Sequence, residues 1–254
     1  MKSVFLRKHT AVAACCFSLL ITACKGSYFV SGAVGTAIPM TAQYDRGHTS
    51  MNVLVDSYRE RVDSIMSPAV GHSAGNYARY RPESPMSNLM ADILFWGAAE
   101  KSGTPVDLSI MNMGGIRSDL SKGTITYGDI FEIAPFENKL CIATMNGHTL
   151  QKLLSQVAAV GGEGVSHVKL ALKDKTLVSA EVNGKEIDPN RIYRVATIDY
   201  LAEGNDKMTA FLESNRVEFP ENITLRQLFF EYVRSLEKAG KEVSATIEGR
   251  IVVL

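Results

Sequence analysis

Four short segments carry residue types that could do recognition chemistry. Asn112-Met113-Gly114-Gly115-Ile116-Arg117 follows an apolar run, and two glycines at a strand end let the backbone approach a ligand closely. The Asn112 amide could read a hydrogen-bonding edge, and the Arg117 guanidinium could clamp an anionic or hydroxylated group. Ala134-Pro135-Phe136-Glu137-Asn138 presents an aromatic just after a proline, which suits stacking on a ring. Asp199-Tyr200-Leu201-Ala202-Glu203-Gly204-Asn205-Asp206 places an aromatic and a carboxylate around a glycine, where the carboxylate could accept hydrogen bonds from a diol. Arg79-Tyr80-Arg81-Pro82-Glu83-Ser84 sets two arginines ahead of a helix start, a place where anions bind. Each segment also has a plainer reading. Gly-Gly beside arginine is more often a turn with a solvated charge, Phe136 a core anchor, the third segment an Asx-rich turn, and the arginines surface charge.

The elements that must position these segments follow from periodicity. Met51, Leu54, Val55, Tyr58, Val62, Ile65 and Met66 recur at helical spacing up to Pro68, which predicts an amphipathic helix. A second helix is expected over 84–101, with Ser84 near its cap, Pro85 at its first turn, and Met86, Leu89, Met90, Ile93, Leu94 and Ala98 on one side. Strands are expected over 106–111, 140–145, 168–172, 177–182 and 192–197. Asn183-Gly184 signals a hairpin, and Asn146-Gly147 reads as a tight turn before a helix over 149–157. Asp129 suits a helix cap after Thr126. A last helix is expected over 225–236 and a terminal strand over 251–254. Strands and helices intermix without strict βαβ order, so the fold class is α+β (mixed α/β), a mixed sheet flanked by helices in one domain.

The N-terminus reads as an address. Lys2, Arg7 and Lys8 precede an apolar run over 11–21 that ends in Ile21-Thr22-Ala23-Cys24. That run is too short to span a bilayer and has the layout of a bacterial signal peptide. The small residues before Cys24 resemble a lipobox, so a signal peptide over 1–23, lipidation at Cys24, a Gly/Ser/Thr/Ala tether over 24–48 (with one early strand near Tyr28) and a folded domain over 49–254 are expected. Cys15 and Cys16 leave with the signal, so Cys141 has no disulfide partner. Removing Lys2, Arg7 and Lys8 from 27 basic residues leaves 24 against 27 acidic ones. That balance, with no basic stripe, argues against a nucleic-acid polymer as partner but not against a small anion.

The order of motifs adds what no single motif supplies. Arg81-x-Glu83-Ser84, a helix with Asn88-Leu89-Met90-Ala91-Asp92, Asn112-x-Gly114-Gly115-Ile116-Arg117, Gly123-Thr124-Ile125-Thr126, Pro135-Phe136, Asn146-Gly147-His148-Thr149-Leu150, the Asp199 to Asp206 segment and Glu248-Gly249-Arg250-Ile251 follow one another. Together they resemble the C-terminal domain of the 5'-nucleotidase family, over roughly 69–254. The resemblance implies a nucleobase stacked between Phe136 and Tyr200, with Asn112 on the base and Arg117 on ribose or phosphate across the Gly114-Gly115 turn. It implies Asp206 on the ribose hydroxyls and Arg81 ahead of the helix, with Arg79 as the fallback. Micromolar binding is the expected order. The chain departs from the family at Gly204-Asn205-Asp206-Lys207, where Gly-Gly-Asp-Gly is usual, at Tyr200 for a common Phe, and at Met208 for a common aromatic.

The family's hydrolysis uses a two-metal N-terminal domain, recognised by Asp-x-His, Gly-Asp, Gly-Asn-His and Gly-His-x-His strings. These do not occur here as a set: His9, His48, His72, His148 and His167 stand apart, Gly128-Asp129 reads as a cap, and His148 as a surface or capping residue. A nucleophile elbow and a phosphate loop are equally missing. The chain is therefore expected to hold no cofactor and to act as a hydrolase only with a separate metallophosphatase carrying two divalent metals. That partner would dock near Phe136 and Tyr200, at the periplasmic face of the outer membrane. The alternative is a lipoprotein that binds nucleosides or nucleotides without any enzyme.

Overall fold

The computed structural model describes residues 49–254, together with positions 31, 32, 35 and 37. The expected signal peptide, Cys24, the strand near Tyr28 and nearly all of the tether lie outside the described residues. One compact unit spans Val53–Leu254.

The described elements are, in order, α1 (Thr49–Met66), β1 (Ala69–Ser73), α2 (Pro85–Ser102), β2 (Leu108–Met111), β3 (Gly123–Thr126), α3 (Tyr127–Ile133), β4 (Leu140–Asn146), α4 (Gly147–Ala159), β5 (Gly164–Ser166), β6 (Val168–Lys173), β7 (Thr176–Val182), β8 (Lys185–Glu186), β9 (Ile192–Ile198), α5 (Asp199–Ala202), β10 (Arg216–Glu218), α6 (Leu225–Lys238) and β11 (Ile251–Val253). The five-stranded sheet runs β10-β4-β9-β2-β5, with β2 and β9 parallel and the other neighbours antiparallel. A second sheet runs β11-β6-β7-β8, and β1 pairs with β3. The architecture is the mixed α+β one that the intermixed periodicities predict.

Local chemistry explains most boundaries. Ser84 and Ser87 form a reciprocal capping box at 2.9–3.0 Å, Pro85 opens α2, and Gly103 closes it at φ 65°. Thr126 and Asp129 do the same for α3. Asn146 is not part of a free turn. It ends β4 and caps α4 through its side chain, which accepts from the Thr149 amide at 2.9 Å, so the helix starts two residues earlier than the apolar period shows. Asn183 (φ 53°) and Gly184 (φ 72°) make the hairpin between β7 and β8.

Two helices differ from their periodic pattern. The spacing in α2 predicts one apolar side, yet Ser87, Asn88, Ala91 and Gly97 are buried as well. The helix lies between the five-stranded sheet and α6, so burial spreads beyond one side over its first three turns. Each fully buried Leu or Ile there contributes about 1.5–3 kcal/mol. In α1 the apolar side chains Met51, Leu54, Tyr58, Val62 and Ile65 remain 50–62% exposed.

Candidate functional site

Strand direction gathers three of the four predicted segments at one end of the five-stranded sheet. β2 and β9 run parallel and neighbour each other, so their C-terminal ends deliver Asn112 and Tyr200 to the same edge. β4 is antiparallel to β9, with Leu140 opposite Ile198, which brings the loop carrying Phe136 to that edge too. β5 is antiparallel to β2, with Gly164 opposite Met111, and places Glu163 there. Ligands of open α/β sheets bind in crevices at such carboxyl ends.

A cleft of about 280 Å³ opens at this edge. Asn112, Gly114, Gly115 and Arg117 line it from the turn after β2, Phe136 and Asn138 from the loop before β4, and Tyr200 and Asp206 from the segment after β9. Phe136 is 47% and Tyr200 38% exposed, so neither ring is spent on the core. The Arg117 guanidinium lies 6.0 Å from the Phe136 ring centroid.

Asp206 is the hub. Its backbone is left-handed at φ 51°, a conformation that costs most residues about 1–2 kcal/mol and that Asp tolerates better than most. Its carboxylate accepts from Asn112 Nδ2 at 2.6 Å and from the Tyr200 hydroxyl at 3.0 Å. The bond to Asp206 holds the Tyr200 phenol above its ordinary range. The Asn112 nitrogen faces the carboxylate, and its Oδ1 is buried without a partner. Gly115 is required beside it, since a Cβ there would sit 2.7 Å from Asn112 Oδ1.

Arg81 does not line this cleft. Its Nε donates to the Gly162 carbonyl at 2.7 Å and its terminal nitrogen pairs with Glu163. Arg79, the fallback, donates to the Ile116 carbonyl at 2.6 Å. Glu163, which sequence reasoning missed, is buried and also accepts from the Met113 amide directly behind the Gly114-Gly115 turn. Burial raises its carboxyl, the Met113 amide and Arg81 pull it back, and Asp206 pushes it up further. A glutamate between Gly162 and Gly164 carries no periodic signal that could have exposed it.

A larger cavity of about 470 Å³ lies elsewhere, beside Asp92, His167 and Arg250. Its Asp92, Ser166 and Arg250 side chains bond one another. Arg250 grips both Asp92 oxygens at 2.8 Å and the Val165 carbonyl at 2.8 Å, while Ser166 Oγ donates to Asp92 at 2.6 Å. Glu83 accepts from Asn88 Nδ2 at 2.7 Å and from the Glu248 and Ile251 amides at 2.8 and 3.2 Å. The motifs around Glu83, Asn88 and Glu248-Gly249-Arg250 thus pin the segment leading into β11 to α2.

The family described as "5'-nucleotidase, C-terminal domain" matches residues 69–213. The chain belongs to that family. Protein UshA of Yersinia enterocolitica is 31% identical over 153 residues, covering 58% of the chain and 27% of that protein. Endonuclease YhcR of Bacillus subtilis is 28% identical over 215 residues, covering 80% of the chain and 17% of that protein. Among solved structures, the 5'-nucleotidase precursor of Thermus thermophilus superposes with a TM-score of 0.71 at 25% identity, over 81% of the chain and 43% of that protein. The chain therefore spans under a third of these two relatives and under half of that structure. Within this 5'-nucleotidase C-terminal domain the departures have separate places. Tyr200 brings a hydroxyl to the cleft, Lys207 holds a left-handed φ of 68° on the exposed side, and Met208 is fully buried in the core. Among the described residues no group of three or more His, Cys, Asp or Glu could hold a metal ion, and no helix is long and apolar enough to cross a membrane.

Proposed function

We propose that this chain is the nucleotide- or nucleoside-recognition subunit of a split 5'-nucleotidase, held by a lipid on Cys24 at the periplasmic face of the outer membrane. The observation that carries the reading is the cleft itself: two half-exposed aromatic rings, Phe136 and Tyr200, share one small cavity with a preset Asp206 carboxylate. Stacking each face of a base contributes roughly 1–3 kcal/mol. Asp206 is the acceptor for a ribose diol, Arg117 the exposed cation for ribose or phosphate, and Asn112 the amide beside the base edge.

The described residues do not fit the two divalent metals that phosphoester hydrolysis of this kind uses, so no hydrolytic step is assigned to them. Two-metal chemistry belongs to a separate metallophosphatase chain docking near Phe136 and Tyr200, to which this domain presents its substrate. The test mixes the purified chain with a two-metal phosphatase of the family's N-terminal type and follows AMP hydrolysis and complex formation by gel filtration. Enhanced hydrolysis with co-elution supports the reading. AMP binding without either result leaves a binding lipoprotein, and no AMP binding at all discards both.

A further inference from the structure

Phe136 has no core packing to hold it, because its ring is half exposed and stands outside the buried cluster. Its place is set by the backbone on either side. Arg226, the second residue of α6, reaches both flanks. Its Nη1 donates to the Pro135 carbonyl at 3.1 Å and to the Ala134 carbonyl at 3.4 Å, and its Nη2 pairs with the Glu137 carboxylate. The guanidinium also lies 4.7 Å over the Phe131 ring of α3, and its side chain is only 11% exposed. The neighbouring Leu225 amide donates to the Asn138 carbonyl at 2.8 Å, so the start of α6 grips the loop on both sides of the aromatic.

We propose that Arg226 is a positioning residue for the recognition cleft, holding the Phe136 ring where a nucleobase stacks; this rests on the nucleotide reading above. One planar fork bridges two carbonyls and a carboxylate while stacking on a ring. A lysine, a single point charge without that plane, cannot reproduce the set. Arg226 is not among the residues that line the cleft. It acts through the residues either side of the ring.

The experiment uses the full chain with AMP as the probe, measured by titration calorimetry, and amide hydrogen exchange over 134–138. Arg226→Met is expected to weaken AMP binding on the order of tenfold and to speed exchange in that loop, and Arg226→Lys is expected not to rescue either. The Arg226→Met/Phe136→Ala double variant is expected to bind no more weakly than Phe136→Ala alone, since a misplaced ring and an absent ring lose the same contact. Glu137→Ala, at an exposed position, removes one link without touching α6 and is expected to cost about two- to threefold. A wild type that does not bind AMP overturns the nucleotide reading and this proposal with it. Wild-type binding that Arg226→Met leaves unchanged, or losses that add in full with Phe136→Ala, overturn the role of Arg226 alone.

Discussion

The Tyr200 hydroxyl donates a 3.0 Å hydrogen bond to Asp206 Oδ1, so the ring proposed to stack on a base also fixes the carboxylate proposed to hold its sugar. Tyr200→Phe separates the two roles, because it keeps the aromatic face and removes the bond. AMP affinity is expected to fall about two- to tenfold, the worth of one such hydrogen bond. Tyr200→Ala is expected to lose roughly tenfold or more, since the stacking surface goes too. Titration calorimetry on both variants checks this, and equal losses would remove the ring from the account.

Asn112 holds the other Asp206 oxygen at 2.6 Å. Asn112→Asp sets two carboxylates in contact, and such a pair shares a proton at mildly acidic pH. AMP affinity of the variant is expected to be weakest near pH 8 and to recover toward wild type at about pH 5, where the shared proton restores a donor to Asp206. Calorimetry at the two pH values decides it. A loss of the same size at both means the pair does not couple.

How much of this is legible in the sequence depends on whether the information is local. The caps at Ser84 and Thr126 and the Asn183-Gly184 hairpin rest on side chains three residues apart or closer, and they read directly. The convergence of Asn112, Phe136, Tyr200 and Asp206 on one cleft was expected from motif order, and strand direction explains it: β2 and β9 are parallel while β4 runs back. Arg81 was expected with them, but its charge is taken by Glu163, a partner 82 residues away that no pattern marks. Arg226 was invisible for the same reason. It lies 89 residues from Glu137, and an arginine in the first turn of a helix looks like solvated charge. The short strands β1, β3, β5 and β10 were missed because three to five residues hold too few alternations to show a period.

Two arginines from the family's motifs are expected to divide into a structural and a binding residue. Arg250 is buried on Asp92 and the Val165 carbonyl, so Arg250→Met strands a carboxylate. The expected loss of stability is about 2–4 kcal/mol, below the cost of breaking a fully enclosed pair because the Asp92 side chain is 37% exposed. Arg117 is exposed in the cleft, and Arg117→Met is expected to change stability by no more than about 0.5 kcal/mol while weakening AMP binding. Urea unfolding and calorimetry on the two proteins test the division. A cleft variant that unfolds as readily as the core one contradicts it.

Glu163 gives a pH signature of the turn that bears Gly114 and Gly115. Burial is the largest influence on its carboxyl and raises it above the ordinary 4.5, with the Met113 amide and Arg81 opposing and Asp206 assisting. The folded state then keeps a proton that the unfolded chain has already released, over the interval from 4.5 up to the raised value. Where the folded state binds more protons, stability falls as pH rises. Glu163 therefore contributes a downward slope of stability across that interval, and nothing further once the folded carboxyl has also ionised. Glu163→Gln stays neutral throughout and still offers an oxygen to the Met113 amide. Its melting temperature is expected to vary less steeply than that of the wild type between about pH 4 and 7, and the difference between the two curves isolates this one carboxyl. Parallel curves would mean that Arg81 and the Met113 amide offset burial completely, leaving Glu163 ionised alike in the folded and unfolded chain.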